Sequence, residues 1–303
     1  MSLTIIDIHS HADYLGGTAK KLVADMDANG IGITCLLSWE APVYDYMPGS
    51  KHTLSVFSDY PVPFERCVHF QEQAPDRFLL GFCPDPRRPD AIQRLRAAVK
   101  TFDIALCGEL KLRMMYDNPD AVRMYRVCAE LKLPVLVHID YELYDDPTAY
   151  PWPNWWYGGG IEALERVLAL CPETVFIGHA PGFWANISGD GEHLTESYPK
   201  GSVTPGGKVP ALLDKYPNLF CDISAGSGHN ALNRDLTFAK QFLTRYQDRV
   251  MYGRDCYETI HRDLLDNLDL PGEILEKIYY KNAVRLLNMA ARPDVAALVY
   301  QEV

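Results

Sequence analysis

Short apolar runs alternate with amphipathic stretches along most of the chain. Compact runs rich in Ile, Val, Leu and Phe predict strands, and apolar positions three and four residues apart predict helices. This pattern predicts eight strands, over residues 4–8, 32–37, 77–82, 105–111, 134–138, 174–179, 218–223 and 249–255. Predicted helices lie between or after them, over residues 18–29, 64–73, 91–100, 119–131, 161–170 and 274–287.

Strands that alternate with helices predict parallel βα units, and eight such units predict a closed (β/α)8 TIM barrel. We interpret residues 1–303 as a single barrel domain. The alternative is an open doubly wound sheet, which usually carries a glycine-rich phosphate turn after its first strand. The pair Gly16-Gly17 is too sparse for that turn.

The composition is that of a soluble globular protein, with 48% hydrophobic and 23% charged residues. The net charge of -11 argues against a nucleic-acid partner, which usually requires a basic face. No apolar run approaches the length of a membrane span, and no basic segment followed by an apolar run opens the chain. We therefore expect a cytoplasmic protein. Its eight cysteines form no Cys-x-x-Cys pair and are expected to be reduced core residues.

Residues that bind metals stand at the ends of several predicted strands. His9 and His11 lie two residues apart at the end of the first strand, so both rings point to the same side. The other candidates are Glu109 and Lys111 on the fourth strand, His138 on the fifth, His179 on the sixth and Asp255 on the eighth. In a barrel these ends converge on the face where barrel enzymes place their chemistry.

Each candidate alone has an ordinary structural explanation. A histidine after an apolar strand is often a satisfied core residue, Asp255 could cap a helix, and Glu109 and Lys111 could form an ion pair. Their joint placement at one end of successive strands is harder to explain in this way. Four imidazoles with carboxylates suit a divalent transition metal, and Zn²⁺ is the default choice.

The same residues carry a resemblance to a known family. The opening Asp7-Ile8-His9-Ser10-His11, the Gly178-His179 pair, the Gly253-Arg254-Asp255 segment and the tail around Asn282 resemble the amidohydrolase superfamily. Within it, the chain is similar to the amidohydrolase-2 group of metal-dependent hydrolases and decarboxylases. The resemblance extends from residue 5 to about residue 289.

The resemblance implies roles for the candidate residues. His9, His11 and Asp255 would bind a buried metal. In mononuclear relatives His138 would be a further ligand and His179 would be catalytic, whereas in dinuclear relatives both would serve a second metal. A fourth-strand group would bridge two ions, either Glu109, which we favour, or a carboxylated Lys111. The metal content is therefore one or two ions per chain.

The activity implied is hydrolysis of an amide, ester or lactone of a small molecule by a metal-activated water, whose pKa falls toward ~7. Asp255 would accept the proton, and His179 or Lys111 would stabilise the oxyanion. The alternatives are a metal-dependent non-oxidative decarboxylase of an unsaturated or aromatic acid, and a non-enzymatic metal-binding or scaffold protein. A homo-oligomer is compatible with all three.

Other residues received weaker assignments. The aromatic stretch 150–157 could cover a substrate or pack against the barrel, and residues 183–207 form a long loop that could act as a lid. His229 is a weak candidate for substrate contact. Arg254, where the family usually has a small residue, indicates either an anionic substrate group or a structural salt bridge. We treat the remaining histidines as ordinary surface or loop residues: His52, His69, His193 and His261.

Overall fold

The computed structural model describes residues 5–13, 16–42, 45, 60–140, 156–287 and 289. Eight parallel strands stand side by side in the order of the chain. They are β1 (Ile5–Ser10), β2 (Ile31–Leu37), β3 (Phe78–Gly81), β4 (Ile104–Leu110), β5 (Val135–His138), β6 (Phe176–His179), β7 (Leu219–Asp222) and β8 (Val250–Met251).

The last strand returns to the first and nearly closes the sheet. The amide of Ile8 donates a hydrogen bond to the carbonyl of Tyr252 at 3.1 Å, and the amide of Asp255 donates to the carbonyl of His9 at 2.8 Å. The predicted (β/α)8 barrel is therefore confirmed. That residues 1–303 form a single domain stays a prediction.

Helices follow the strands, and most of them pack on the outside of the barrel. They are α1 (Ala19–Ala28), α2 (Phe64–Gln73), α3 (Ala91–Phe102), α4 (Pro119–Glu130), α5 (Gly160–Leu170), α6 (Pro181–Trp184), α7 (Lys208–Lys215), α8 (Ala225–Asn233), α9 (Leu236–Arg245), α10 (Ile260–Asn267), α11 (Gly272–Glu276) and α12 (Asn282–Leu286). A π-helical turn, Lys277–Lys281, joins α11 to α12, so the single helix predicted over residues 274–287 is three consecutive segments.

The sequence analysis did not predict the helices between β7 and β8. Helix α8 contains Gly226 and Gly228, and glycine lowers helix propensity, so the periodic pattern is weak there. The supposed loop 183–207 is partly ordered as well, by α6 and by the 3-10 turns Ala185–Ile187 and Glu192–Leu194.

The core has two layers, one inside the barrel and one between the strands and the helices. Alternate strand residues such as Ile6, Ile8 and Leu136 form the inner layer together with α12. The Asn282 amide donates to the carbonyl of Val250 at 2.8 Å, which places α12 beneath the start of β8. The amino-terminal end of the barrel is therefore covered, and the carboxyl ends of the strands form the open face.

The structure also bears on several further expectations. All eight cysteines are free thiols, and only Cys256 is not fully buried. None of the described helices combines the length and the apolar character that a bilayer span requires. His261 is completely buried in α10, so its assignment to the surface was wrong. His52 and positions 150–155 of the aromatic stretch lie outside the described residues.

Candidate metal centre and active site

Six side chains with metal-binding atoms meet at the carboxyl ends of the strands. They are His9, His11, Glu109, His138, His179 and Asp255. Their side chains are buried, except that the side chain of Asp255 is 20% exposed. The structure thus brings together the residues that the sequence analysis selected as metal ligands.

The end of β1 is irregular at the point where it supplies two histidines. Its pairing with β2 shifts register between Asp7 and Ser10. Such a shift resets the alternation that sends Ile6 and Ile8 into the barrel core. His9 can therefore turn its ring towards the centre of the open face.

The donor atoms of five of these residues surround one point. Nε2 of His9 lies 3.7 Å from Asp255 Oδ1 and 3.9 Å from Glu109 Oε1. Nε2 of His179 lies 3.8 Å from each carboxylate, and Nε2 of His11 lies 3.3 and 3.4 Å from them. Donors that share a cation at about 2.0–2.2 Å lie about 3–4 Å apart, so this spacing suits a shared ion.

The tautomers of the three histidines also fit a cation. Nδ1 of His11 donates to the carbonyl of Leu37 at 2.9 Å, so Nε2 is the nitrogen that faces the two carboxylates of the centre. In His9 and His179, Nδ1 donates to a carboxylate, and the buried Nε2 atoms have no hydrogen-bond partner among the described residues. Buried polar atoms are rarely left unsatisfied, so these nitrogens indicate a missing positive partner.

That carboxylate is Asp222, which the sequence analysis did not select. It lies at the end of β7, accepts from His9 at 2.9 Å and from His179 at 3.0 Å, and is fully buried. Ser224 Oγ donates to it at 2.7 Å. The rule that selected the other residues, a ligand-type side chain at a strand end, also applies to Asp222. It is a positioning residue for two imidazoles and does not face the centre itself.

His138 has a different environment from the other histidines. Its Nδ1 lies 2.6 Å from Glu109 Oε1, and its Nε2 lies 3.0 Å from Asp140 Oδ2. Glu109 therefore contacts His138 on one side and the centre on the other. His138 still belongs to a possible ligand group with Glu109 and His179. The role of His138 as a metal ligand stays a prediction.

The carboxylates of the centre are ionised at neutral pH. Burial raises the pKa of Glu109, but the charge of Lys111 and the contacts with His138 and His11 outweigh it and hold the pKa well below its usual range. Burial likewise raises the pKa of Asp255, yet His9 and His11 bring it to about 2. The same two carboxylates overcome the effect of burial and raise the pKa of His11 to about 10, so a divalent cation that binds here would displace the proton of that ring.

Asp255 adopts an unusual backbone conformation at the edge of this set. Its φ is 58°, in the left-handed region that residues other than glycine rarely adopt. The hydrogen bond from its amide to the carbonyl of His9 holds it there at 2.8 Å. Strained residues of this kind often occur at functional sites.

Arg254 resolves one alternative from the sequence. Its Nε and amide both donate to Asp7 at 3.0 Å, and its NH1 donates to Asp25 at 2.7 Å. The Arg254 side chain is only 1% exposed and does not line the cavity. Arg254 therefore forms a structural ion pair, and it does not offer a contact for an anionic substrate group.

A cavity of about 460 Å³ opens above the centre. Its walls include Trp39, Lys111 and Tyr157, together with residues 225–227 at the start of α8. Lys111 points at aromatic rings, whereas Glu109 is the fourth-strand residue among the donor atoms. His229 does not line the cavity and instead lies 6.0 Å, ring to ring, from His261.

Comparison with protein families gives one match. A family model described as amidohydrolase matches residues 6–289. No curated protein sequence matches the chain.

Comparison with solved structures gives many matches of low sequence identity. An uncharacterised TIM-barrel protein from Bordetella bronchiseptica is 17% identical, with 96% of this chain and 100% of that chain covered and a TM-score of 0.64. A dihydroxybenzoic acid decarboxylase from Polaromonas sp. JS666, with bound manganese and the inhibitor 2-nitroresorcinol, is 15% identical. That match covers 97% of this chain and 99% of that chain, with a TM-score of 0.59.

A probable 2-pyrone-4,6-dicarboxylic acid hydrolase from Acinetobacter baumannii, with citric acid bound, is 13% identical. The match covers 94% of this chain and 100% of that chain, with a TM-score of 0.58. At these identities the three structures establish a shared fold.

Proposed function

Because the chain belongs to the amidohydrolase family, we propose that it is a divalent-metal-dependent decarboxylase of an aromatic or unsaturated carboxylic acid. The resemblance seen in its motifs is confirmed by the family match. The sequence analysis gave first place to hydrolysis, but a decarboxylase that holds manganese is among the matched structures and supports the alternative instead.

The convergence of the donor atoms on one centre carries the proposal. Three groups of ligand atoms overlap here, because His9, Glu109 and His179 each belong to two of them. Oε1 of Glu109 also lies 2.6 Å from Nδ1 of His138, so this oxygen is shared between the centre and that ring. One ion per chain is the expectation that accompanies decarboxylation. His9, His11, Glu109, His179 and Asp255 would hold this ion.

Decarboxylation breaks the bond between a carbon atom and its carboxylate, releases CO₂, and leaves an electron pair on that carbon. The carbon then takes up a proton. When bound, a divalent cation supplies positive charge that orients the carboxylate and draws electron density from neighbouring oxygens.

The chain supplies the remaining requirements. Asp255 is ionised and is the donor-set residue that is partly open to the cavity, so we assign to it the relay of a proton from solvent to the carbon that loses CO₂. His179 and Asp222 keep the opposite side of the centre rigid. Trp39 and Tyr157 provide apolar walls against which a flat substrate can pack.

Hydrolysis of a lactone or ester remains a second candidate, because one matched structure is a probable pyrone dicarboxylic acid hydrolase. In that reaction Asp255 would instead accept the proton of the attacking water and pass it to the leaving group. The two reactions differ in one product, since only decarboxylation releases CO₂.

The test starts from protein stripped with a chelator and reloaded with one equivalent of Mn²⁺ or Zn²⁺. We expect CO₂ release from members of a panel of hydroxylated benzoic acids, with metal content near one ion per chain. Ring opening of 2-pyrone-4,6-dicarboxylate without CO₂ release would instead assign the hydrolase. Turnover that is independent of added metal would contradict the proposal.

Asp255→Asn should lower kcat by about 100-fold or more, because asparagine cannot take up and pass on a proton. Metal content is measured in the same sample, which separates loss of the proton relay from loss of the ion. Asp269→Asn, which changes an exposed carboxylate, is the matched control. A near-normal rate for the Asp255 variant would refute its role.

A further inference from the structure

One wall of the cavity carries a lysine that lies on two aromatic rings. The Nζ of Lys111 is 4.5 Å from the ring centroid of Trp39 and 5.7 Å from that of Tyr157. The two rings meet edge to face at 6.3 Å. The faces of aromatic rings attract cations, so this pair of rings fixes the position of the ammonium group.

Backbone contacts hold both rings independently of the lysine side chain. The indole N–H of Trp39 donates to the carbonyl of Lys111 at 2.6 Å. Tyr157 pairs with Asp140 through backbone hydrogen bonds of 2.9 and 3.1 Å. The rings would therefore stay in place if the amino group were replaced by an apolar one.

The amino group of Lys111 lacks an acceptor within the described part of the chain. Its charge lowers the pKa of Glu109, but it forms no direct ion pair and no hydrogen bond with any described residue, although carboxylates line the same cavity. Those carboxylates have other partners: Glu109 contacts His138 and His11, and Asp140 contacts His138. An ammonium group has three donors, and aromatic faces satisfy none of them fully.

The other buried basic side chain near the centre shows the contrast. Arg254 is enclosed by Asp7 and Asp25 and faces away from the cavity. Lys111, by comparison, lines the cavity, is only partly buried, and presents its charge to whatever enters. A side chain in this position recognises an anion that the protein does not provide.

We propose that Lys111 forms a subsite for a second carboxylate, so that the substrate is a dicarboxylic acid. This inference rests on the proposed function, in which the first carboxylate is lost at the metal centre. A carboxylate bound to Lys111 gains charge-assisted hydrogen bonds, whereas a neutral hydroxyl group in the same place gains much less.

The test measures binding of unreactive probes by calorimetry, with the Mn²⁺-loaded protein. The probes are isophthalate, 3-hydroxybenzoate and benzoate, which carry a second carboxylate, a neutral phenol and no second group. We expect isophthalate to bind about 10- to 100-fold more tightly than benzoate, the fold-change that corresponds to hydrogen bonds with a charged group. 3-Hydroxybenzoate should resemble benzoate.

Lys111→Met keeps the apolar stem on the rings and removes the charge, so it should abolish the preference for isophthalate over benzoate. Lys111→Arg should restore part of the preference. Lys240→Met, at an exposed lysine paired with Asp269, is the control and should match the unaltered protein. Thermal melting verifies that each variant is folded.

Three results would overturn the subsite: no preference for isophthalate in the unaltered protein, no measurable binding of isophthalate, or a preference that survives in Lys111→Met. Tight binding of 3-hydroxybenzoate would show that Lys111 recognises a neutral polar group as well, and the substrate would then not need to be a dicarboxylic acid. Because the probes do not react, the subsite and the decarboxylase are tested separately. If the protein prefers isophthalate but releases CO₂ from no acid, the proposed decarboxylase activity is refuted and the proposed carboxylate subsite still holds.

Discussion

Asp222 offers the sharpest test of how the metal centre is built, because it contacts two of the proposed ligands without facing the centre. Its two oxygens accept from His9 at 2.9 Å and from His179 at 3.0 Å. Burial raises the pKa of Asp222, but the neighbouring rings of His179 and His9 lower it far below its usual range. The carboxylate is therefore ionised, and each imidazole keeps its proton on Nδ1.

The change Asp222→Asn preserves the shape of the side chain and removes its charge. Asparagine keeps one acceptor oxygen, so one of the two imidazoles faces an NH₂ group and loses its hydrogen bond. A hydrogen bond to a charged group contributes about 1.5–3 kcal/mol, which corresponds to a loss of about 10- to 150-fold in affinity. Partners of metal ligands typically change affinity by about 10- to 100-fold, in agreement with this range.

The assay is a competition for Zn²⁺ or Mn²⁺ between metal-free protein and a chelating dye. Asp222→Asn should bind the ion about 10- to 100-fold more weakly than the unaltered protein. Ser224→Ala removes a neutral donor to Asp222 at 2.7 Å and should cost about 3- to 10-fold, since such bonds contribute about 0.5–1.5 kcal/mol. Asp214→Asn, at an exposed carboxylate, should have no effect.

Circular dichroism establishes that the variants are folded before their affinities are compared. If Asp222→Asn is folded and binds either ion within twofold of the unaltered protein, the two imidazoles do not depend on Asp222 for their orientation. The reasoning about the tautomers would then be wrong. If Asp222→Asn does not fold, the Ser224→Ala variant takes its place as the test. An unchanged metal affinity of Ser224→Ala would then contradict the role of Asp222 in orienting the two imidazoles.

Two further predictions concern stability and are measured on metal-free protein by denaturant unfolding. Arg254→Met leaves the buried carboxylate of Asp7 without its partner, so the unfolding free energy should fall by about 3–5 kcal/mol. A loss below about 1 kcal/mol would contradict the structural role of the pair. Arg245→Met, which changes an exposed arginine, is the control. Burial lowers the pKa of His261 from 6.5 to about 4, so the unfolded chain takes up a proton before the folded one, and stability falls as the pH drops through this window. His261→Gln should reduce the loss between pH 7.5 and 4.5 by about 2–3 kcal/mol, and an unchanged pH dependence would show that His261 is not the group responsible.

The barrel could be predicted because its strands are short apolar runs whose spacing leaves room for one helix each. The centre could be predicted because His9, His11, His138 and His179 follow apolar runs directly, and parallel strands end on one face. These features are local in the sequence, so a pattern of residues is enough to find them.

What could not be predicted depends on contacts between distant residues. Asp222 looks like any strand-end carboxylate until His9 and His179 are brought beside it. Arg254 could contact an anionic substrate group or form a structural salt bridge, and the two differ only in the direction of the side chain. That direction follows from the tertiary structure, which brings Asp7 beside Arg254. The burial of His261 likewise depends on tertiary packing, that of helix α10. The apolar periodicity of this eight-residue helix is too short to predict it from the sequence.

The pair of Arg254 and Asp7 joins residues that are 247 positions apart in the chain. The ligands nearest to that pair, His9 and Asp255, meet only after the last strand has docked on the first. Contacts of such long range form late in folding, because a large loop must close before they contribute any energy. Binding of the ion therefore reports that the last strand has docked on the first, and protein in which that contact has not formed should lack a high-affinity metal site.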